Sequence, residues 1–497
     1  MWIAPALVML TVGAYRLTSP ALWRDEVASW ASATRPLDDL LRMLQHVDAS
    51  NGTYYVLLHG WTALFGDSEI ALRLPSVLAM AGAAAFTALT TARLFGGRVA
   101  GLCAGLLFAT VPLVSRYAQE ARSYALVTCA VAAATWFLLR ALERPTLRWW
   151  APYGLAMAMA GAAHLVSLSA LAGQAALVAP HLWRVGAPAR RRLLGRLALV
   201  LAAVVALVLP VALLGREQSG RQLGWLARPT VHQLLHFGEP LFGSPRVFHI
   251  FLLLALPALV LPGRRGPALR LLLLAVLPVL AVWAFSFGPT SYFLDRYLLF
   301  TLPAWAALAG CGTAAGCAAV TTLARRRWTS PKVRVVGLLL AVGVVAVTGA
   351  AALPKQSVVR YANSHAKEPY RDVARLIAAG YRPGDGLAVP LGDQAWSMVG
   401  PGVSYYLPDD VRPYPLFEAT GAVQAEDLFP VPCPQPAECT GRGSRVWLVV
   451  LGDTPDPLAA LPADQAVALQ ARFGTPGQVT PLGGMTLSLL DGTRAGR

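Results

Sequence analysis

Residues 197–214, LALVLAAVVALVLPVALL, form an uninterrupted apolar run. The run contains no charged side chain, and arginines stand directly before it at Arg196 and shortly after it at Arg216. A helix needs about 20 apolar residues to cross the roughly 30 Å core of a bilayer. The run therefore predicts a membrane-spanning helix.

Similar apolar runs follow one another through the first two thirds of the chain. We predict a mainly α, polytopic integral membrane protein of about eleven transmembrane helices. The predicted spans are 2–18, 71–92, 99–115, 123–140, 149–164, 166–183, 197–214, 247–262, 270–287, 297–322 and 335–353. The stretch 149–183 is divided at the polar residues His164 to Ser167. The first span lacks a basic leader and a small-residue cleavage site, so we expect a retained helix rather than a signal peptide.

The composition supports the same class of protein. Of 497 residues, 56% are hydrophobic and 14% are charged. Soluble domains carry about 25% charged residues, so this composition excludes an ordinary soluble enzyme. The net charge of +16 would also suit a nucleic-acid-binding protein. The positions of the charged residues distinguish between the two classes.

The basic residues mark one side of the membrane. With eleven spans, five loop groups of Arg and Lys fall on one side, and eleven of the twelve acids in residues 1–354 fall on the other, Glu143 being the exception. The groups are Arg93 and Arg98; Arg140, Arg144 and Arg148; Arg184, Arg190, Arg191, Arg192 and Arg196; Arg264, Arg265 and Arg270; and Arg325, Arg326, Arg327, Lys332 and Arg334. Cytoplasmic loops are enriched in Lys and Arg, so this side is assigned to the cytoplasm. The arginines then lie against the anionic inner leaflet, and we expect no nucleic-acid partner.

The charge balance changes near Pro354. Residues 1–354 carry a net charge of +18, and residues 355–497 carry −2. We predict a transmembrane domain, 1–354, with a large first outer loop, 19–70, and an extracytoplasmic soluble α/β domain, 355–497. The predicted elements of the second domain are helices at 369–377 and 464–472 and strands at 387–389 and 445–451.

Two cysteines of the second domain, Cys433 and Cys439, are six positions apart in the sequence. In an oxidising compartment such a pair can close a small structural loop as a disulfide. The alternative is a metal pair, but no His or further Cys clusters nearby in the sequence. We therefore favour the disulfide.

Two adjacent carboxylates open the first outer loop. Asp25 and Glu26 follow the first apolar span, directly after Trp23 and Arg24. A carboxylate in such a place can act as a general base or bind a cation. The alternative is the start of a helix with acidic residues in its first turn, which is common, and on the pair alone we favour that alternative.

Polar and aromatic residues continue along the same loop. Asp48, Tyr54, Tyr55 and His59 lie there, and a turn is expected at residues 51–53, before the aromatic pair. Aromatic side chains at this depth usually form an interfacial belt. Their apolar faces are also what a sugar stacks against.

Two further clusters stand at predicted outer helix ends. One is SRYAQEARSY at 115–124, with Glu120, Arg122 and Tyr124, and the other contains Arg296. Charges at a bilayer boundary need partners or a water-filled cavity. Glu120 and Arg122 can pair with each other; equally, Arg122 can hold a phosphate through two parallel hydrogen bonds. Three such clusters on one face predict a shared pocket for an anionic, lipid-bound ligand.

The order and spacing of these residues match a known pattern. The sequence resembles the GT-C glycosyltransferases, in particular bacterial members related to protein O-mannosyltransferases and to lipid A aminoarabinose transferase. The resemblance covers roughly residues 19–305. It rests on Trp23-x-Asp25-Glu26, Tyr54-Tyr55, Leu57-Leu58-His59-x-Trp61, Gly66-x-x-Glu69, Arg73-Leu74-Pro75-Ser76, Gln119-Glu120-Ala121-Arg122-Ser123-Tyr124 and Asp295-Arg296-Tyr297 with Pro303. Many relatives carry a His-Pro-Pro-type stretch where this chain has Asn51-Gly52-Thr53.

The resemblance implies an inverting glycosyltransferase of the cell envelope. It implies transfer of one sugar from a polyprenyl-phosphate donor to an envelope glycan, lipid or protein acceptor on the outer face of the cell membrane. The excess of Arg over Lys, with lysines only at Lys332, Lys355 and Lys367, is typical of a GC-rich genome and leads us to expect a sugar of the mannose or arabinose type. Asp25 is implied as the general base, supported by Glu26. The remaining implied site residues are Arg122, Arg296, Glu120 and Tyr124 for the donor phosphate and Asp48, Tyr54, Tyr55 and His59 for the substrate. We expect no cofactor. Some relatives use a divalent cation, so a cation bound by the carboxylate pair is kept as an alternative.

Two other functions compete with this one. A transporter or flippase of a lipid-linked sugar would place ionisable groups near the middle of the membrane, whereas the acids here fall in loops. A non-catalytic scaffold for envelope assembly would give no reason for a long polar and aromatic outer loop beside charged helix ends.

Overall fold

The computed structural model describes residues 1–327, 333–362, 364–365, 368–441 and 443–492, and it is mainly helical. The helices are α1 (Ile3–Ala14), α2 (Arg24–Ala33), α3 (Leu37–His46), α4 (Ala49–Phe65), α5 (Glu69–Phe95), α6 (Arg98–Thr110), α7 (Pro112–Ala118), α8 (Tyr124–Glu143), α9 (Leu147–Ala163), α10 (Ala170–Arg184), α11 (Ala187–Leu223), α12 (Val231–Leu235), α13 (Gly238–Phe242), α14 (Pro245–Val260), α15 (Arg265–Phe285), α16 (Leu302–Arg327), α17 (Val333–Val358), α18 (Tyr370–Gly380), α19 (Val399–Tyr406) and α20 (Ala463–Phe473). Short 3₁₀ helices lie at Leu165–Ser169, Asp295–Thr301, Gly392–Ser397 and Pro436–Cys439.

Each predicted span overlaps a helix of the structure, and the span 99–115 falls on two helices, α6 and α7. Within the described ranges, seven helices are long and apolar enough to cross a bilayer, or eight if α6 and α7 form one bent span. The seven are Glu69–Phe95, Tyr124–Glu143, Leu165–Arg184, Ala187–Gly220, Arg265–Phe285, Asp295–Leu323 and Val335–Val358. Helices α1 and α14 are apolar but shorter. The prediction of a multi-pass membrane protein is confirmed, whereas the count of eleven stays a prediction.

Two helix breaks follow from local sequence. Helices α6 and α7 meet at 70°, because Pro112 begins α7 and Val111 before it is extended, with φ −70° and ψ 120°. A proline disfavours helical backbone at the preceding residue. The predicted break in the stretch 149–183 is confirmed: α9 ends at Ala163, and His164 is extended with φ −165° and ψ 106°.

The chain divides into two compact units. The first unit comprises Met1–Leu17, Asp48–Tyr54 and Arg73–Val359, and the second comprises Thr18–Val47, Tyr55–Leu72 and Arg360–Arg497. The predicted outer loop 19–70 is largely helical, since α2, α3 and α4 lie within it. The helix that contains Pro354, α17, continues to Val358.

Glycines allow close helix packing in the first unit. A Cβ on Gly310 of α16 would lie 2.4 Å from the backbone nitrogen of Ala104 on α6. A Cβ on Gly312 would lie 1.7 Å from the carbonyl oxygen of Leu254 on α14. Any side chain at these positions would force the helices apart. Small residues at helix interfaces are typical of membrane helix bundles, where van der Waals packing replaces the hydrophobic effect.

A small sheet organises the second unit. Its strands are β1 (Gly386–Ala388), β2 (Tyr414–Pro415), β3 (Glu418–Thr420), β4 (Val431–Pro432), β5 (Arg445–Leu451), β6 (Val479–Pro481) and β7 (Met485–Asp491). The main sheet has the order β2-β1-β5-β7-β6, with β2, β1 and β5 parallel and β7 antiparallel to both of its neighbours. Strands β3 and β4 form a separate antiparallel pair.

The core of this sheet region is apolar. Val446 and Leu448 of β5, Leu490 of β7, and Leu469 and Phe473 of α20 belong to one buried cluster. Because successive residues of a strand point to opposite faces, Val446 and Leu448 share a face of the sheet. The four predicted elements of this region appear as α18, α20, β1 and β5, so its mixed α/β character is confirmed.

Candidate functional site

A short, firmly anchored turn joins α7 to α8 in the first unit. Gln119 Nε2 donates hydrogen bonds to the carbonyl oxygens of Gly13 and Tyr15, each at 2.8 Å. Ser76 Oγ donates to the carbonyl oxygen of Glu120 at 2.6 Å. These partners lie at the end of α1 and on α5, so two other segments of the chain fix the turn that carries Arg122.

Aromatic rings from three helix ends gather next to this turn. The ring centroids of Tyr124 and His164 are 5.8 Å apart, those of His164 and Tyr297 are 4.5 Å apart, and those of Tyr124 and Tyr297 are 6.2 Å apart. Tyr124 begins α8, His164 follows α9, and Tyr297 lies in the 3₁₀ helix before α16. Tyr117 extends the group, with its ring 5.2 Å from that of Tyr124.

Guanidinium groups bring positive charge to these rings. Arg122 and Arg296 both lie within electrostatic range of His164. The Cζ of Arg296 is 5.7 Å from the ring centroid of Tyr297 and 5.9 Å from that of Trp225. Aromatic faces attract cations, so the two rings hold this guanidinium in place.

Two carboxylates balance part of the positive charge. Glu120 is fully buried, and its Oε2 is 3.9 Å from Nε of Arg116. Asp295 lies within electrostatic range of Arg116 and Arg296. Its Oδ1 also accepts a hydrogen bond from the backbone nitrogen of Arg296 at 2.8 Å. With Arg122, three positive and two negative side chains meet here, which leaves one net positive charge.

We name this group the arginine–aromatic cluster, and it consists of Arg116, Arg122, Tyr124, His164, Arg296 and Tyr297. Guanidinium groups bind phosphate through fixed, parallel hydrogen bonds. Arg122 is only 8% exposed, and a charge in such a place interacts more strongly than one in water. The cluster therefore has the chemistry of an anion site.

The carboxylate pair lies in the second unit, in the first turn of α2. Glu26 is fully buried, and its Oε2 accepts a hydrogen bond from the backbone nitrogen of Trp23 at 3.3 Å. It thus caps the start of the helix, as the alternative interpretation expects. Asp25 keeps 22% of its side-chain exposure, and its Oδ1 is 3.6 Å from Nε of Arg24. Asp25 is therefore the more accessible carboxylate of the two.

Two of the predicted substrate-binding residues make local hydrogen bonds. Asp48 has a left-handed backbone, with φ 58°, and its Oδ1 accepts a hydrogen bond from Asn51 Nδ2 at 2.6 Å. His59 Nδ1 donates to the carbonyl oxygen of Ala33 at 2.8 Å, at the end of α2. Both side chains therefore stabilise the segments around α4.

The other two, Tyr54 and Tyr55, are buried side chains of α4. The division between the units falls between them. The expected turn at 51–53 is wrong, because α4 begins at Ala49 and runs through these residues. The left-handed residue that precedes the helix is Asp48. A glycine in a helix costs only about 1 kcal/mol, which the tertiary packing of α4 outweighs.

Sequence reasoning grouped Arg122 with Arg296, and the structure places both in the arginine–aromatic cluster. It predicted no role for His164 in the site, because this residue marked only the break between the predicted spans 149–164 and 166–183. The available signal was a lone histidine at a predicted helix end. Arg116 lies in the predicted cluster 115–124, but the sequence predicts no role for it. Its proximity to the buried Glu120 appears only in the structure.

Two further features concern metals and cysteines. In the part of the chain that the structure describes, no group of three or more His, Cys, Asp or Glu side chains is arranged to hold a metal ion. Cys433 and Cys439 form a disulfide in the second unit.

Comparisons with known proteins find one matching family model and several similar solved structures. Residues 53–214 match the family model described as dolichyl-phosphate-mannose-protein mannosyltransferase. The chain matches ArnT from Cupriavidus metallidurans in the apo state with a TM-score of 0.62 at 17% identity, covering 99% of this chain and 97% of that chain. For ArnT of the same organism bound to undecaprenyl phosphate, the TM-score is 0.59 at 17% identity, covering 98% and 97%. Arabinosyltransferase EmbB from Mycobacterium smegmatis gives 0.41 at 17% identity, covering 77% of this chain and 43% of that chain. No curated protein matches the chain by sequence.

Proposed function

We propose, because the chain has the GT-C glycosyltransferase fold that its sequence resembles, that it transfers one sugar from a polyprenyl-phosphate donor to an envelope glycan, lipid or protein acceptor. The transfer takes place on the outer face of the membrane, where the C-terminal domain also lies, and the sugar is of the mannose or arabinose type. The arginine–aromatic cluster is the observation that carries this proposal. The structural relative ArnT, bound to undecaprenyl phosphate, supports a lipid phosphate as its ligand.

The charge of the cluster suits the change that the donor undergoes. A polyprenyl-phosphate sugar is a phosphodiester with one negative charge, whereas the departing polyprenyl phosphate is a monoester with a second ionisable oxygen. One net positive charge among buried and half-buried groups therefore attracts the leaving group more strongly than the donor. An interaction that strengthens towards the transition state raises kcat.

Asp25 acts as the general base. Its carboxylate takes the proton of an acceptor hydroxyl while the hydroxyl oxygen bonds to the anomeric carbon of the sugar. The bond from that carbon to the phosphate oxygen breaks, and its electron pair leaves with polyprenyl phosphate. Attack opposite the leaving group inverts the configuration. General base catalysis of this kind typically contributes about 10²- to 10⁴-fold.

The other predicted residues support these two groups. Glu26 fixes the first turn of α2 and so orients Asp25. Glu120 holds Arg116, and Tyr124 offers a ring face beside the phosphate. The residues proposed to line the substrate site are Asp48, Tyr54, Tyr55 and His59.

A transfer assay tests the proposal. The full chain is reconstituted in nanodiscs and incubated with polyprenyl phosphate carrying radiolabelled mannose or arabinose, with envelope extract as acceptor. We expect label in the acceptor fraction and release of an equal amount of polyprenyl phosphate. In sealed liposomes, movement of intact labelled donor across the bilayer without cleavage would instead favour the flippase.

A further inference from the structure

The segment that enters α2, residues 18–23, has neither helix nor strand of its own. We name it the lead-in segment, and it belongs to the second unit. One arginine of the C-terminal region holds its first residues. Arg371 Nη2 donates to the carbonyl oxygen of Thr18 at 3.0 Å, and its Nη1 donates to that of Ser19 at 3.3 Å. A single guanidinium thus satisfies two consecutive carbonyl groups.

The next backbone groups of the lead-in segment also have partners in the C-terminal region. The backbone nitrogen of Ala21 donates to the carbonyl oxygen of Ala362 at 2.9 Å. The backbone nitrogen of Leu22 donates to the hydroxyl of Tyr406 at 2.8 Å. A buried backbone donor left without a partner costs free energy comparable to a lost hydrogen bond. Residues after α17 therefore fix the conformation of the chain just before α2.

One carboxylate joins the two side chains that hold the lead-in segment. Glu69 Oε1 accepts a hydrogen bond from Arg371 Nη2 at 2.6 Å and another from the hydroxyl of Tyr406. Burial and the nearby charge of Glu69 raise the pKa of Tyr406, so the phenol keeps its proton. Its hydroxyl can then donate to Glu69 and accept from Leu22 at the same time.

A second contact lies beside Asp25 itself. The Cζ of Arg24 is 4.7 Å from the ring centroid of Trp396, in the C-terminal sheet region. The same guanidinium is 3.6 Å from Asp25 Oδ1 through its Nε. The ring of Trp396 restrains the arginine that neighbours the carboxylate.

We infer that Tyr406, Glu69 and Arg371 are positioning residues, through which the C-terminal domain holds Asp25 in the geometry that transfer requires. This inference rests on the proposed function, because it takes Asp25 as the base. The three residues act through the lead-in segment and touch no substrate. A misplacement of about 1 Å at a reacting group can cost about 100-fold in rate, so loss of these hydrogen bonds should lower kcat.

Hydrogen exchange tests, without any activity assay, whether these residues fix the lead-in segment. Tyr406→Phe removes the hydroxyl and keeps the ring. We expect the backbone amides of the lead-in segment to exchange at least about tenfold faster in this variant of the full chain, in nanodiscs. Tyr405→Phe is the matched control, because it makes the same change at the neighbouring tyrosine, whose hydroxyl donates to the carbonyl oxygen of Asp67 at 3.0 Å. Equal exchange in the wild type and Tyr406→Phe would overturn the inference.

Kinetics test the consequence for transfer. In Tyr406→Phe and Arg371→Ala we expect kcat to fall about 10- to 100-fold, with the donor KM unchanged within about twofold. Arg375→Ala removes an exposed arginine from the same helix and should leave kcat unchanged. Arg371→Lys keeps a charge for Glu69 but cannot hold both carbonyl groups, so it should lie between wild type and Arg371→Ala, and it serves if the larger change prevents folding.

The outcomes separate the two proposals. Full transfer by Asp25→Asn would overturn the proposed function. Hydrogen exchange would then still test whether Tyr406 fixes the lead-in segment. If Asp25→Asn is inactive while Tyr406→Phe and Arg371→Ala turn over at the wild-type rate, the positioning inference is wrong and the proposed function stands. A rise in donor KM at unchanged kcat would also contradict the inference.

Discussion

Replacing Arg122 by glutamine tests the role of the arginine–aromatic cluster. The change removes one of three positive charges and keeps a polar side chain of similar length. The net charge of the cluster together with Glu120 and Asp295 falls from one positive to zero. The anchored turn should keep its shape, because Gln119 and the carbonyl oxygen of Glu120 keep their hydrogen bonds to the end of α1 and to α5.

The size of the effect follows from Coulomb's law. Two unit charges about 4 Å apart interact by about 4 kcal/mol at an effective dielectric constant of about 20. With roughly half a unit of new charge on the leaving phosphate at the transition state, Arg122 lowers the barrier by about 2 kcal/mol relative to the bound donor. Because about 1.4 kcal/mol corresponds to a factor of ten, kcat should fall about 30-fold. The donor KM should rise as well, since the donor phosphate is already charged.

Initial rates of label transfer in nanodiscs measure both constants. Arg192→Gln is the matched control, because it removes an exposed arginine of α11 by the same change. The reasoning is refuted if Arg122→Gln keeps more than a third of the wild-type kcat, or if the control loses as much as Arg122→Gln does.

Three further predictions concern stability. Asp385→Ala leaves the buried Arg445 without the carboxylate that lies 3.4 Å from its Nη2, and should destabilise the C-terminal region by about 3 kcal/mol, seen as a lower Tm. Burial raises the pKa of Glu418 in the folded protein above its ordinary value in the unfolded chain. The folded state is therefore favoured while this carboxyl is protonated, and that stability is lost as the pH rises through the raised pKa. Glu418→Gln should therefore have a higher Tm than the wild type at pH 7 and the same Tm at low pH. Serine at both Cys433 and Cys439 should cost about 2 kcal/mol, and peptide mapping without reductant should find the two peptides linked.

The first two of these predictions have control variants. Asp393→Ala removes an exposed carboxylate of the same region and should leave the Tm unchanged. Glu438→Gln, also exposed, should show no pH-dependent gain. Unlinked cysteines in freshly isolated membranes would contradict an extracytoplasmic C-terminal domain.

The membrane helices were predictable because their signal is local. An apolar run such as 197–214 specifies a helix whatever surrounds it, and α11 contains the whole run. The bend before Pro112 and the break at His164 also depend only on nearby residues. Whether shorter helices such as α1 cross the membrane depends on neighbours and lipid, which composition does not describe.

The site was predictable only in part. The sequence identified Arg122 and Arg296 as charged residues at helix ends, and such residues need partners. It did not show that His164 would lie within electrostatic range of both arginines or pack against Tyr297, because ring contacts across three helix ends follow from tertiary packing and leave no periodic pattern. No local sequence pattern marks Tyr406 as a residue that contacts the segment before α2. Its bond to the backbone of Leu22 joins segments far apart in the sequence.

The most direct test of the proposed mechanism is the transfer rate of Asp25→Asn, measured beside its binding of labelled polyprenyl-phosphate sugar. Asp38→Asn, an exposed aspartate of α3, is the matched control. We predict that Asp25→Asn binds the donor within about twofold of the wild type and transfers sugar at least about 100-fold more slowly, while the control is unchanged. Transfer by Asp25→Asn at the wild-type rate would contradict the central claim that this aspartate is the base.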